Sequence, residues 1–150
     1  MKLIYELPAP FVSATHWCII DRKKGDLLFG RRENESRQVA SLTKIMTSTV
    51  VLDTIDLFGD NALMSLRSPV RITRSAAALN GTTAHLIADD TLTIHQLMYA
   101  MMLPSGNDAA QSLALYFGAY LHTNGKIDPN QFLHEVKPDI VEKRVQEILA

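Results

Sequence analysis

The sequence has 150 residues, of which 47% are hydrophobic and 21% are charged, with a formal net charge of −1 at pH 7. These values are typical of a globular protein with one domain, residues 1–150. The chain has no basic excess, so we expect no nucleic-acid partner, and no apolar run is long enough to predict a membrane span.

Two short apolar runs near the N-terminus predict a β-hairpin. The runs are His16–Ile20 and Leu27–Gly30, and the polar segment between them contains Gly25, which can adopt a positive φ. Gly30 is a candidate bulge. Cys18 is the only cysteine, so no internal disulfide can form, and its apolar neighbours predict a buried, inert thiol.

Three longer apolar stretches predict helices. The first runs from near residue 42 to near residue 57. Thr93 and Gln96 form a Thr-x-x-Gln capping box, which predicts that the second helix starts near residue 93. Pro104 ends that helix, because proline cannot donate a backbone hydrogen bond. The third helix covers Ala109 to Tyr120. Methionines at 98, 101 and 102 are expected to pack in the core.

Weaker signals occupy the remaining parts of the chain. Residues 62–90 are irregular, with a weak strand pattern at Pro69–Thr73 and a turn at Asn80-Gly81. Residues 128–136 predict a short helix. Residues 137–150 predict a final amphipathic helix that starts at Pro138 or Asp139.

Ser41 and Lys44 stand three residues apart at the start of the first predicted helix, so their side chains share a face. Free N–H groups in the first turn leave a partial positive charge that disfavours a protonated lysine, and burial would disfavour it further. A neutral lysine can take a proton from a serine hydroxyl and so activate it as a nucleophile. An N-cap serine beside a solvated lysine is the alternative that this motif alone leaves open.

The loop after the second predicted helix carries Ser105, Gly106 and Asn107. Gly106 allows a tight bend, and Asn107 or Asp108 can cap the next helix. Turn and cap residues alone would explain this triplet. Together with the Ser-x-x-Lys pair, however, it supplies a second hydroxyl and an amide, which can relay a proton and hold a substrate amide.

Ser-x-x-Lys followed by Ser-Gly-Asn resembles the pattern of penicillin-binding proteins and serine β-lactamases. The residues around the motifs are similar to the D-alanyl-D-alanine carboxypeptidases of peptidase family S11, at Leu7–Pro10, Ala40–Thr47 and Leu103–Ala110. The likeness runs from about residue 5 to about residue 117, with a weaker trace to about residue 136. It implies an α/β (α+β) fold. This would be the N-terminal portion of the β-lactamase/DD-peptidase (transpeptidase-like) fold, with a hairpin of an antiparallel sheet and a helical cluster.

The resemblance also implies a role for each site residue. Ser41 would be the nucleophile that forms an acyl-enzyme, and Lys44 its general base. Ser105 would pass the proton to the leaving D-alanine, and Asn107 would bind the substrate's amide. The substrate would be a peptide ending in D-Ala-D-Ala, with β-lactams as acylating mimics. We expect no metal and no organic cofactor, and the five histidines lack metal-binding spacing.

The resemblance leaves the localisation open. Family members act outside the cytoplasmic membrane on peptidoglycan. Residues 1–6 are too short and too polar for the apolar region of a signal peptide. Either a leader has been removed ahead of Met1, or the chain stays inside a cell.

A third family motif, Lys-Thr-Gly, is absent from the chain, as are Lys-Ser-Gly and His-Thr-Gly. In the family its strand helps to bind the substrate's terminal carboxylate and supplies one oxyanion-hole donor, while the N–H of Ser41 would supply the other. We therefore expect residues 1–150 to be a partial domain without the later sheet strands, incomplete or weakly active. A C-terminal segment or a second chain would complete it, and residues 137–150 carry no family signal.

Two alternatives remain open at this point. The missing motif favours a non-catalytic relic or fragment that binds a peptide or a partner protein. A class A-like β-lactamase would need an added water activated by a glutamate, and the residues around both motifs argue against it.

Overall fold

The computed structural model describes residues 8–58 and 64–135. The predicted helix at 137–150 lies outside these residues. The chain divides into two units, residues 1–39 and 40–150. Within the described ranges the structure is α+β, with two antiparallel sheets of two strands each. None of the helices in these ranges combines the length and the apolar character that a membrane crossing requires.

The first unit contains the predicted hairpin. Strand β1, Trp17–Ile20, pairs antiparallel with β2, Leu27–Arg31. Asp21 closes the turn, because its carboxylate accepts hydrogen bonds from the N–H groups of Lys23 and Lys24 at 2.9 and 2.8 Å. Gly25 has a φ of 74°, as its place in the turn predicted.

The hairpin has a bulge, but the prediction that it lies at Gly30 was wrong. Gly30 pairs regularly with Cys18. The register shifts between Ile19 and Ile20, which pair with positions 29 and 27, so Leu28 is the extra residue. A Cβ at Gly30 would lie 2.8 Å from the carboxylate end of Glu33, an exposed side chain that can move aside.

The prediction of a buried thiol at Cys18 was also wrong, since this cysteine is exposed. Ile19 and Ile20, which follow it in β1, are exposed as well. An apolar run predicts burial only if another layer covers the strand. Two strands alone provide no such layer.

The second unit contains the predicted helices. It begins with a single 3₁₀ turn, Ala40–Leu42. The α-helices are α1, Thr43–Phe58; α2, Arg74–Ala77; α3, Ile94–Met102; α4, Asn107–Thr123; and α5, Pro129–Glu135. The strand predicted from residue 69 is confirmed as β3, Pro69–Arg71, and it pairs antiparallel with β4, Thr91–Thr93, which was not predicted.

Local chemistry explains where α3 begins. The N–H of Gln96 donates to Thr93 Oγ1 at 3.2 Å, and the N–H of Thr93 donates to Gln96 Oε1 at 2.9 Å. This is the predicted capping box. It satisfies two backbone donors that the first helical turn would otherwise leave unpaired.

The core of this unit lies around α4, which packs against α3 and α5. Its centre is formed by fully buried side chains, among them Val70, Ile72, Ile94, Leu97, Leu113 and Tyr116. Burial, followed by the negative charge of Asp128, raises the pKa of Tyr116 to about 12, although a hydrogen bond with Ser68 lowers it. Because α4 is held on several sides, its N-terminus is a rigid support for the loop before it.

Not every predicted core residue of α3 is buried. Met101 is fully buried and Met98 is partly buried against the core. Met102 is 46% exposed, so the prediction for this residue was wrong. Successive helical positions differ by about 100° around the axis, so Met102 leaves the face that contains Met101.

Helix α1 is covered much less than its sequence suggests. The apolar residues of α1 are spread over all sides of the helix, a pattern that is typical of a buried helix. Only Val51 and Thr54 are buried. Exposed apolar side chains on this helix are Ile45, Met46, Val50, Leu52, Leu57 and Phe58.

Candidate active site

Ser41 lies in the 3₁₀ turn just before α1, and Lys44 lies in the first turn of α1. Ala40, just before them, has a φ of 46°, and its carbonyl oxygen accepts a hydrogen bond from Thr43 Oγ1 at 2.6 Å. A left-handed conformation is unfavourable for alanine, and such strain often lies at functional sites. Ser41 is exposed and Lys44 is half-buried, with Lys44 Nζ 3.4 Å from Ser41 Oγ.

The loop between α3 and α4 presents Ser105, and the first residue of α4 is Asn107, but the bend differs from the prediction. The left-handed residue of this bend is Ser105, with a φ of 59°, whereas Gly106 has a φ of −63°. The N-cap of α4 is Gly106, which has no side chain to cap the helix. Neither Asn107 nor Asp108 therefore caps it, although a cap by one of them had been predicted. Their side chains are engaged elsewhere.

The two elements meet at their polar side chains. Lys44 Nζ donates to Asn107 Oδ1 at 2.8 Å, to Ser105 Oγ at 3.2 Å and to Ser41 Oγ at 3.4 Å. Ser105 Oγ donates to Ser41 Oγ at 2.8 Å. The structure therefore brings all four of the residues proposed from the sequence into one hydrogen-bonded cluster.

A second segment, residues 80–86, supports this cluster through hydrogen bonds. Asn107 Nδ2 donates to the carbonyl oxygen of Asn80 at 3.1 Å, which turns the amide oxygen toward the lysine. Thr82 Oγ1 donates to the carbonyl oxygen of Ser105 at 2.6 Å, and the N–H of Asn107 donates to Thr82 O at 2.8 Å. Gly81 has a φ of 95°, and a Cβ there would lie 2.8 Å from Asn107 Nδ2. The sequence predicted the turn but not these contacts.

Asp108 anchors this second segment to α4. Its carboxylate is 0% exposed and accepts hydrogen bonds from Thr83 Oγ1 at 2.6 Å, the N–H of Leu86 at 3.0 Å and the N–H of Ala84 at 3.0 and 3.1 Å. Burial raises the pKa of Asp108, but hydrogen bonds from Ala84, Leu86, Thr83 and Ala109 outweigh it, so the pKa lies below the ordinary value of 3.8.

Sequence analysis missed the role of Asp108, because acidic residues near a helix start are usually caps. The available signal is an acidic side chain beside Ala109 and Ala110 at the start of an otherwise apolar helix. Such a position predicts a buried carboxylate that needs several donors. It does not reveal which segment supplies them.

The cluster offers two paths for a proton from Ser41. The direct distance to Lys44 Nζ is 3.4 Å, at the outer limit for a hydrogen bond. The path through Ser105 has steps of 2.8 and 3.2 Å. Among the described residues, no carboxylate forms an ion pair with Lys44, so its three hydrogen bonds go to neutral oxygens. No three His, Cys, Asp or Glu side chains in the described ranges could hold a metal ion.

Gly106 allows a direct test of this geometry. A Cβ at residue 106 would lie 2.7 Å from the carbonyl oxygen of Ala100 and 2.7 Å from Asp108 Oδ1. We expect Gly106→Ala to lower the free energy of unfolding by about 1–3 kcal/mol, because a backbone atom must move. Urea unfolding measures this change.

The matched control is Gly118→Ala in α4, where a Cβ would meet nothing within 4 Å. This substitution should raise the free energy of unfolding by about 0.5–1 kcal/mol, because alanine favours the helix more than glycine does. Equal effects of the two substitutions would contradict the close approach at Gly106.

Comparison with known proteins identifies the family. The D-alanyl-D-alanine carboxypeptidase family, Peptidase_S11, matches residues 5–120. The chain belongs to this family. The D-alanyl-D-alanine carboxypeptidase of Streptomyces sp. strain K15 is 34% identical over 114 residues, which cover 73% of this chain and 37% of that protein. DacB2, a D-alanyl-D-alanine carboxypeptidase of Mycobacterium tuberculosis, is 30% identical over 122 residues, covering 81% of this chain and 39% of the relative.

Solved structures of D-alanyl-D-alanine carboxypeptidases and related transpeptidases share the fold. DacD from Francisella tularensis superposes with a TM-score of 0.65 at 28% identity, covering 93% of this chain and 30% of the other. A mutant of the Streptomyces K15 DD-transpeptidase gives 0.62 at 33% identity, covering 73% and 41%. The chain thus has the β-lactamase-like fold of these DD-peptidases over the part that it matches. It spans less than half the length of these relatives.

Proposed function

We propose that this S11 family member carries the nucleophile and proton-transfer groups of a serine-type D-Ala-D-Ala carboxypeptidase site. One observation carries the proposal: the hydroxyls of Ser41 and Ser105, the amine of Lys44 and the amide of Asn107 form a single hydrogen-bonded cluster. A nucleophile within reach of a base, with a second group orienting that base, is the arrangement that covalent catalysis requires.

In the proposed acylation step, Ser41 Oγ attacks the carbonyl carbon of the penultimate D-alanine. Its proton passes to Lys44, directly or through Ser105. The C–N bond to the terminal D-alanine then breaks, and Ser105 returns the proton to the leaving amine. Asn107 holds the substrate's amide, and the N–H of Ser41 is one donor to the developing oxyanion.

In the proposed deacylation step, water attacks the ester on Ser41 and releases the shortened peptide, while the proton returns to Ser41 Oγ. The ring amide of a β-lactam places a reactive carbonyl at the same nucleophile. β-Lactams are therefore expected to acylate Ser41 as mimics of a peptide ending in D-Ala-D-Ala.

We further propose that the chain alone is weakly active. The Lys-Thr-Gly motif is absent, so the second oxyanion donor and the carboxylate-binding group must come from elsewhere. Loss of one oxyanion-hole donor costs about 100- to 1,000-fold in a well-studied serine hydrolase. The exposed apolar side chains of α1 support a complementing segment or second chain that would cover this helix.

Labelling with a fluorescent penicillin tests the proposed nucleophile. The label should become covalently attached, and peptide mapping should place it on Ser41. Ser41→Ala should abolish the labelling, because no other hydroxyl occupies the position of attack. Circular dichroism must show that both proteins fold to the same extent.

A labelled peptide that lacks Ser41, or equal labelling of the Ser41→Ala variant, would contradict the proposal. The absence of labelling in a folded chain would support the second candidate function, a non-catalytic relic that binds a peptide or a partner protein.

A further inference from the structure

A concave site lies apart from the catalytic cluster. It is a cavity of about 360 Å³ formed where β3, α2, α4 and α5 come together. Its volume is in the range of small-molecule binding pockets. The lining residues are Arg71, Ile72, Thr73, Arg74, Ser75, Asp89, Leu115, Asn130, Leu133 and His134. None of the four catalytic candidates is among them.

The charges around this cavity are not balanced. Arg71 donates to Asp89 Oδ1 at 2.6 Å, so the one lining carboxylate is already paired. Arg71 Nη1 also lies 3.4 Å from His134 Nδ1. The guanidinium of Arg74 makes no hydrogen bond or ion pair with any other residue in the described part of the chain. Two arginines and one aspartate leave a net charge of +1 beside a concave surface, which attracts an anion.

Polar and apolar groups occupy different parts of the lining. Thr73 and Ser75 present hydroxyls 3.1 Å apart next to Arg74. Leu133 is half-buried and supplies accessible apolar surface to the lining, while Ile72 and Leu115 are almost completely buried. Inorganic phosphate would satisfy the cation but would leave the exposed part of Leu133 in contact with water. A carboxylate with a short apolar tail would satisfy both.

We propose that this cavity binds a small carboxylate-bearing molecule. The carboxylate accepts hydrogen bonds from Arg74 and the Ser75 hydroxyl, and its apolar tail contacts Leu133. Arg71 is held in place by Asp89 and contributes positive potential. The site is independent of the nucleophile, so it should also bind its ligand in the Ser41→Ala protein.

Titration of the 150-residue protein with hexanoate, acetate and inorganic phosphate, followed by two-dimensional amide NMR, tests this site. Hexanoate should bind with a Kd of about 1 mM, and the shifted amides should cluster at residues 71–75 and 133–134. Acetate and phosphate should bind at least about fivefold more weakly, because they do not cover the exposed apolar surface of Leu133.

Arg74→Met should weaken hexanoate binding about tenfold, since it removes the unpaired cation and keeps an apolar stem. The matched control is Arg67→Met, another exposed arginine that does not line the cavity, and it should leave the affinity unchanged. Unchanged binding in Arg74→Met, tighter binding of phosphate than of hexanoate, or no binding of hexanoate would each overturn the proposal. The penicillin-labelling result affects none of these outcomes.

Discussion

Replacing Lys44 with methionine is expected to lower the rate of penicillin acylation at Ser41 by about 100- to 10,000-fold. Methionine keeps a long unbranched side chain but removes the amine, which is the one basic nitrogen bonded to both serine hydroxyls. Without it, neither the direct path nor the path through Ser105 ends at a base. Labelling reactions stopped after a series of times, at several penicillin concentrations, give the second-order rate constant for acylation.

The control for Lys44 is Lys126→Met, which removes an exposed amine that makes no hydrogen bond or ion pair within the described residues. Its labelling rate should equal that of the unsubstituted protein. If Lys44→Met labels as fast as this control, another group is the base, and the proposed mechanism is wrong. Thermal unfolding of both variants separates a loss of chemistry from a loss of folding.

Asp108→Asn should lower the free energy of unfolding at pH 7 by about 2–4 kcal/mol. The buried carboxylate accepts hydrogen bonds from the N–H groups of Ala84 and Leu86 and from the hydroxyl of Thr83. An amide offers only one acceptor oxygen and places its own N–H donors against theirs. Urea unfolding measures the change, and the same variant should show slower labelling because the segment behind Ser105 is displaced.

The matched control is Asp90→Asn, which removes the same charge from an exposed side chain with no hydrogen-bond partner among the described residues. It should change stability by less than about 0.5 kcal/mol. If Asp90→Asn destabilises the protein as much as Asp108→Asn does, overall charge rather than the buried contacts explains the effect.

The pH dependence of the Asp108 effect has a definite sign. The pKa of Asp108 in the folded protein lies below the ordinary value of 3.8. Its stabilising contribution is therefore complete above pH 3.8 and is lost as the pH falls through the lower, folded-state pKa. The difference in stability between the unsubstituted protein and Asp108→Asn should stay constant from pH 7 to about pH 4.5 and shrink below pH 3.8.

Local signals predicted most of the elements that carry the site. The Thr93–Gln96 capping box placed the start of α3, and Pro104 placed its end. The spacing of Ser41 and Lys44 predicted a shared helical face, and both side chains do project toward Ser105 and Asn107. These predictions succeed because capping and helical spacing depend on residues a few positions apart.

Predictions that depend on distant residues failed or were not made. Cys18 is exposed because burial depends on a covering layer that the strand's own sequence does not encode. Strand β4 was missed because three residues acquire strand geometry only through pairing with β3. Gly106 was assigned to a bend, whereas its absent Cβ makes room for Ala100 and Asp108.

The sequence by itself determined the family, the main helices and the four polar residues of the candidate site, because each depends on a short motif or a local period. Only the tertiary structure revealed that Asn80, Thr82 and Asp108 hold those residues in place. It also revealed a cavity with an unpaired arginine on the same unit. These features join segments that lie tens of residues apart, and such contacts form only when the chain packs around α4.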